Sequence, residues 1–258
     1  MKPIIKVTLS ILIPIIITLA IIGAYITHAI AQSKVKYSAE ELAMVSKTLS
    51  FPEGIEELKA STGVNITYHV KDTAGFKVIL TATKAGIEYL KAENKDGVLK
   101  IYFDKKHPNR AILKENHITI TGPAIPCLDM SSGSNLTARG AYRGLTSADA
   151  SSGASVTADS ILASNIDIDL SSGAYAQLKA YDCDSIKGEA SSGATLKISG
   201  NHTRYIDLDV SSGASINATG IRAQTGKIEA SSGGDIEGNI TQVTTTSITS
   251  GGSFKNKE

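Results

Sequence analysis

The sequence predicts an all-β protein: a single-stranded, right-handed parallel β-helix with 20-residue coils, preceded by an N-terminal signal or transmembrane helix. Three observations carry this. Ser-Ser-Gly begins at Ser131, Ser151, Ser171, Ser191, Ser211 and Ser231, spaced by 20 residues every time. Apolar and polar residues alternate on both sides of each tripeptide, which is the period of a strand with one face in and one face out. Ahead of the repeats, the segment 1–31 carries a long apolar run preceded by two lysines and free of acids.

That run, Val7 to Ile26, spans 20 residues, about what a helix needs to cross the hydrocarbon core. Lys2 and Lys6 before it favour a cytoplasmic N-terminus. Ala29-Ile30-Ala31 then supplies a small-x-small site of the kind cut after export. Cleaved signals have apolar regions of about 7–15 residues, so the length favours a retained anchor and the site favours cleavage after Ala31. Both readings place the remainder outside the cytoplasm. No cysteine adjoins the site, which speaks against a lipid anchor there.

Residues 32–50 read as a linker with a short helix over Ser38–Leu49. Ser38 and Glu41 have the spacing of a capping box, and Pro52 would limit the helix. Residues 51–130 read as irregular opening coils that cover the N-terminal end of the solenoid. Val64–Val70, Phe76–Thr83, Val98–Phe103 and His117–Thr121 alternate as strands, and Asp96-Gly97 has the composition of a hairpin turn.

The regular repeats occupy residues 131–254. Small residues follow each corner at Ser134, Ala154, Ala174, Ala194, Ala214 and Gly234. An apolar column follows at Leu136, Val156, Ala176, Leu196, Ile216 and Ile236. Before the corner, Ile168, Leu208, Ile228 and Ile248 share another column by their spacing of 20 or 40. One repeat cannot bury its apolar face alone, but stacked coils about 4.8 Å apart make a continuous core. Gly133, Gly153, Gly173, Gly193, Gly213 and Gly233 are expected to hold the corners in a conformation other residues resist. The serine hydroxyls are expected to bond backbone groups left free there. A degraded corner at Ser250-Gly251 and a polar tail at 255–258 close the chain. Leucine-rich, nonapeptide and hexapeptide solenoids lack their signatures here.

Composition excludes some functions. The 26 basic and 25 acidic residues nearly balance, and removal of residues 1–31 takes away two lysines, leaving 24 − 25 = −1. Nothing draws the chain to nucleic acid. The five histidines show no ligand spacing, and six equivalent serines without a recurring histidine argue against a nucleophile.

One acidic column stands out: Asp129, Asp149, Asp169, Glu189, Asp209 and Glu229. Carboxylates stacked once per coil repel one another, and a metal ladder would relieve this. Calcium, however, takes six to eight oxygens in a cage, so bonding to the adjacent corner or pairing with nearby basic residues is the favoured reading, and no metal or cofactor is expected. Asp167/Asp169 and Asp207/Asp209 place two carboxylates on one face, as a glycoside hydrolase requires, but no insertion builds a cleft around them. Tyr142, Tyr175, Tyr181 and Tyr205 could stack on sugars. Cys127 and Cys183 stand nearly three coils apart, too far for a disulfide.

The chain resembles the head GIN domain family, known as putative auto-transporter adhesins. The resemblance rests on Phe51-Pro-Glu-Gly-Ile55, the strand Gly63-Val-Asn-Ile-Thr-Tyr68, Gly97-Val-Leu-Lys-Ile101, His117-Ile-Thr-Ile-Thr121 and Leu128-Asp-Met-Ser-Ser-Gly133, followed by the serial corners. It implies an exported, surface-exposed β-helix without catalytic residues to carry over. Adhesion to a glycan or surface protein is the leading expectation. A β-helix polysaccharide lyase or hydrolase, and a membrane-tethered periplasmic structural or sensory domain, are the alternatives.

Overall fold

A computed structural model describes residues 37–52, 54–104 and 110–257. The apolar run at residues 7–26 and the Ala31 cleavage site lie outside the described residues. Among the described residues, no helix is long and apolar enough to cross a membrane.

The chain opens with β1 (Met44–Phe51), β2 (Glu57–Ala60), β3 (Asn65–Val70) and β4 (Phe76–Thr83). A hairpin of β5 (Leu90–Lys95) and β6 (Val98–Phe103) follows, then a 3-10 turn at Arg110–Leu113 and β7 (Asn116–Gly122). The repeats supply β8 (Cys127–Met130), β9 (Asn135–Arg139), β10 (Tyr142–Arg143), β11 (Ser147–Ala150), β12 (Ser155–Leu162), β13 (Asn165–Leu170), β14 (Tyr175–Asp182) and β15 (Ser185–Ala190). The last coils run as longer strands, β16 (Thr195–Val210), β17 (Ser215–Ala230), β18 (Asp235–Ile248) and the short β19 (Ser253–Asn256).

The expected parallel solenoid is present. Strands before each corner form one face, strands after it form the other, and equivalent positions of successive coils pair in parallel. Val156 stands beside Leu136 and Ala176, and Ile168 beside Ala148 and Gly188. Inward residues pack between the faces: Leu58, Leu128, Val156, Ile168, Leu196, Leu208 and Ile228 are all buried. Gly188 falls in the column of Ile168 and Leu208, and its position is already filled. A Cβ there would come within 2.9 Å of Leu196 and 3.1 Å of Leu208.

The corners are tight turns with two successive left-handed residues. At the second, Ser152 has φ +52° and Gly153 +70°, and the Ala154 N–H donates to Ser151 O at 3.1 Å. Two positive φ values with that bond define a type I′ turn. A Cβ on Gly153 would meet nothing within 4 Å, so glycine is required there for its conformation alone. The Gly153 N–H reaches across to Ser172 O at 3.1 Å, and the same bond recurs at each later corner. Backbone groups therefore do the bonding expected of serine hydroxyls.

Three readings are corrected. Residues 38–49 do not form a helix. The capping box forms, with Ser38 N–H and Oγ each 2.8 Å from Glu41 Oε2 and the Glu41 N–H 3.2 Å from Ser38 Oγ. Only one turn follows before β1 pairs antiparallel with β4, from Met44–Thr83 to Phe51–Phe76. Eight cross-strand pairs outweigh a local cap. The closing coil is also two residues short, since Asp235 pairs with Ser253 and Ile236 with Phe254. Ile248 consequently sits opposite Ala230, out of the Ile228 column, and is 41% exposed. Tyr142 lies inside the solenoid, so it cannot stack on a sugar.

The opening coils also show an order that the sequence did not reveal. The opening coils do not stack in chain sequence. β2 pairs in parallel with β6 on one side and β8 on the other, and β3 lies between β7 and β9. The coil at residues 57–70 is therefore inserted between a later coil, 98–122, and the first regular one. Returning to β8, the chain must pass over the inserted coil at Pro123–Pro126. Two buried tyrosines hold this crossover: Tyr68 donates to Pro123 O, and Tyr142 to Ile125 O at 2.8 Å. Their rings meet edge to face with centroids 5.8 Å apart. β4 and β1 then extend one sheet antiparallel beyond β7, and β5 extends the other beyond β6.

Candidate functional site

The solenoid offers two long faces with different chemistry. On the face built from β8, β11, β13, β15 and the second halves of β16 and β17, the pairing puts Asp129, Asp149, Asp169, Glu189, Asp209 and Glu229 side by side. The acidic column read from sequence is thus a real ladder. Outward positions from Cys127 to Glu229 carry those six acids together with Asp167 and Asp207, against Lys187 and Lys227. Eight negative and two positive charges give −6.

The ladder is neutralised unevenly. Lys59, from the inserted coil, stands beside Asp129 in the register and pairs with it at 3.1 Å and with Glu57 at 2.9 Å. Lys187 pairs with Glu189 at 2.7 Å, and Lys227 reaches Glu229 at 3.1 Å and Asp207 at 3.8 Å. Among the described residues, no cation pairs with Asp149, Asp169 or Asp209. Crowding by stacked side chains, and then the charges of Asp169 and Asp129, raise the Asp149 carboxyl above its ordinary range. Desolvation and then Glu229 and Glu189 do the same to Asp209. Lys59, which sequence reasoning missed, became relevant only once the inserted coil brought it to the end of the ladder. Among the described residues, no three His, Cys, Asp or Glu side chains converge as metal ligands.

The opposite face, built from β9, β12, β14 and the first halves of β16 to β18, is neutral. Arg139, Lys179 and Lys197 balance Asp159, Asp235 and Glu237 over its outward positions from 135 to 237. Hydroxyls and amides dominate and bond along the stack. Asn135 Nδ2 donates to Asn65 Oδ1 at 2.9 Å, and Ser155 Oγ lies 2.7 Å from Asn135 Oδ1. Two half-buried tyrosine rings are covered by lysines: Lys197 Nζ is 5.8 Å from the Tyr175 centroid, and Lys179 Nζ is 5.3 Å from that of Tyr181. Tyr205 is half-buried on the acidic face.

A hollow at the return segments is lined by Gly144, Thr146, Asn165 and Asp167. It takes Asp167 but not Asp169, so the candidate acid pair does not share one cleft. Cys127 points outward from β8 while Cys183 is buried, and they are not joined. A groove at the N-terminal end, between β1 and the 87–93 segment, has a volume of about 580 Å³.

A family model described as "putative auto-transporter adhesin, head GIN domain" matches residues 55–258. Among solved structures, a putative adhesin from Parabacteroides merdae is 14% identical, with 87% of this chain and 99% of that one covered at a TM-score of 0.68. A putative lipid binding protein from Parabacteroides distasonis is 13% identical, with 83% and 97% covered and a TM-score of 0.67. A putative adhesin from Bacteroides fragilis is 14% identical, with 84% and 99% covered and a TM-score of 0.59. At these identities the likeness is one of fold. No curated protein matches the chain.

Proposed function

This chain belongs to the head GIN domain family, and we propose that it is a non-enzymatic adhesive module outside the cytoplasm, tethered to a membrane by residues 7–26. It binds a glycan or surface protein along its long sheet faces. The observation that carries this reading is the unbroken 20-residue corner spacing from Ser131 to Ser231. Such spacing leaves no loop to wall off a cleft, and hydrolytic chemistry on a sugar needs one to exclude water and hold substrate. Flat ladders of charge or hydroxyls instead suit repeated, individually weak contacts summed along the stack.

The acidic face fits a basic protein surface, and the neutral hydroxyl–amide face fits a glycan. The test is protease shaving of intact cells, combined with binding of the purified full chain to glycans and cell-surface proteins. Digestion of the repeats on intact cells and saturable binding without turnover are the expected results. Protection until the cells are permeabilised would remove adhesion and favour a periplasmic scaffold. Cleavage of uronate polysaccharides would make the protein a β-helix lyase or hydrolase.

A further inference from the structure

The solenoid core is closed by backbone along its length but opens at its N-terminal end. There β1 ends one sheet and β5 the other, and the groove between them runs down to core residues. Leu80 and Leu90 form its buried floor, while Val45, Leu49, Ile87 and Ala92 are half-buried. Its volume of about 580 Å³ falls within the roughly 300–1,000 Å³ typical of ligand pockets.

Two further observations point the same way. Leu42, just ahead of β1, and Met44, its first residue, are each 47% exposed and are two of the three large exposed apolar side chains among the described residues. Only positions 27–36 separate the apolar run ending at Ile26 from Tyr37, so even a fully extended tether holds this end within about 40 Å of that run. The rim carries Lys47 and Lys91 against Glu88 and Glu93, so it has no net charge, and the apolar floor is what distinguishes the groove.

We propose that this end of the solenoid faces the membrane, and that the groove takes an acyl chain of a phospholipid while Leu42 and Met44 enter the interface. The inference rests on the tethered reading given above. It assigns the solenoid an orientation, with the N-terminal end on the lipid and both long faces standing free for partners. Groove occupancy should be nearly independent of salt, because apolar burial is not screened.

The experiment uses the full chain in phosphatidylcholine–phosphatidylglycerol vesicles doped with a phospholipid bearing a photoactivatable diazirine in its acyl chain. Adducts are mapped by mass spectrometry after irradiation. We expect adducts on peptides 42–49 and 87–93 at least tenfold above those on 244–256, at both low and high salt. The double variant Leu42→Ser, Met44→Ser should lower adducts on 42–49 about fivefold. Both side chains are exposed, so its melting temperature should be unchanged. Adducts confined to residues 1–36 would overturn the groove proposal and leave the tether standing. An absence of adducts everywhere would overturn both. Cross-links joining 42–49 to a second copy would assign the groove to self-association instead.

Discussion

The inserted coil at 57–70 and the regular coils after it have the same local geometry but reach it differently. Both use parallel pairing and a corner of two left-handed residues. Thr62 and Gly63 have φ of +61° and +73°, beside +51° and +70° at Ser132 and Gly133. In the regular stack, each coil pairs with the one that follows it in the chain. In the inserted coil, Glu57 pairs with Cys127, far along the sequence, and with Val98 on its other side. Regular coils can be added one at a time as the chain advances. The inserted coil requires closure of a long loop before its contacts form. Nearest-neighbour stacking alone thus suffices for the repeats, whereas the cap needs a specific pin at the crossover.

The largest effect should come from breaking the regular stack. Ile168→Asp places a carboxylate in a column flanked by Ala148 and Gly188, where Ile168 is 2% exposed. Desolvation of an unpaired charge costs several kcal/mol, so cooperative melting followed by circular dichroism should be lost or lowered by more than about 10 °C, taking roughly 2–4 °C per kcal/mol for a chain of this size. Thr157→Asp, outward-facing and within the stack, should shift melting by less than about 1 °C, since surface changes stay within about 0.5 kcal/mol. Equal effects would break the assignment of inward and outward columns.

The next effect tests the pin. Tyr142→Phe leaves the Ile125 carbonyl without its donor in a buried setting, at a cost of about 1–3 kcal/mol. Hydrogen exchange should then speed up in residues 57–70 and 98–126, while β16 to β18 keep their protection. Uniform acceleration across the chain would mean that the cap and the repeats unfold as one unit, and the contrast between them would fail.

How far each region was legible follows from the same contrast. A constant spacing of 20 betrays pairing partners, so the ladder Asp129 to Glu229 and the inward columns could be read by counting. Asp96-Gly97 was equally local, and the hairpin it predicted is present, with Lys95 opposite Val98. The Ser61-Thr62-Gly63 corner escaped because its tripeptide differs and its partner is out of sequence. Ser38 and Glu41 predicted their own hydrogen bonds correctly but not the helix, because β1 is decided by β4, a strand well beyond any local window. Ile248 was misplaced because the final coil drops two residues, which spacing counts cannot reveal without the pairing. Of the candidate site, the ladder was visible, whereas Lys59 at its end and the terminal groove depend on strands brought together from distant segments.

A smaller effect probes the ladder, which belongs to the regular coils except for Lys59. Raised carboxyls at Asp149 and Asp209 bind protons more readily folded than unfolded. The sign follows from linkage: stability must fall as pH rises from near 4 through the folded values. Melting temperature should therefore rise as pH is lowered from 7 towards the ordinary carboxylate range, and then fall as ion-paired carboxylates are protonated. Asp149→Asn should flatten this rise and stabilise at pH 7 by about 0.5 kcal/mol, a figure reduced for solvent screening. Added salt should give the wild type part of the same gain. A flat profile from pH 7 down to the ordinary carboxylate range would show that the ladder side chains splay apart without strain.

The last comparison separates the two kinds of corner, and it turns on the sign of the effect. A left-handed conformation costs a non-glycine residue about 1–2 kcal/mol, and Ser152 and Thr62 both bear that cost. Replacement by glycine removes it but adds freedom to the unfolded chain, worth about 0.4–1 kcal/mol. At Ser152 the first outweighs the second, so Ser152→Gly should stabilise by up to about 1.5 kcal/mol. At Thr62 the side chain does something more, because its Oγ1 accepts the Phe103 N–H at 2.8 Å and ties the inserted coil to the coil outside it. Phe103 is buried, so losing this acceptor leaves a backbone donor unmet and costs about 1–3 kcal/mol. Thr62→Gly should accordingly destabilise by about 1 kcal/mol, opposite in sign to Ser152→Gly. Chemical denaturation of the two variants decides the matter. If both shift the midpoint in the same direction, the inserted coil is held by its pairing alone, and the threonine is only an imperfect copy of the serines that follow.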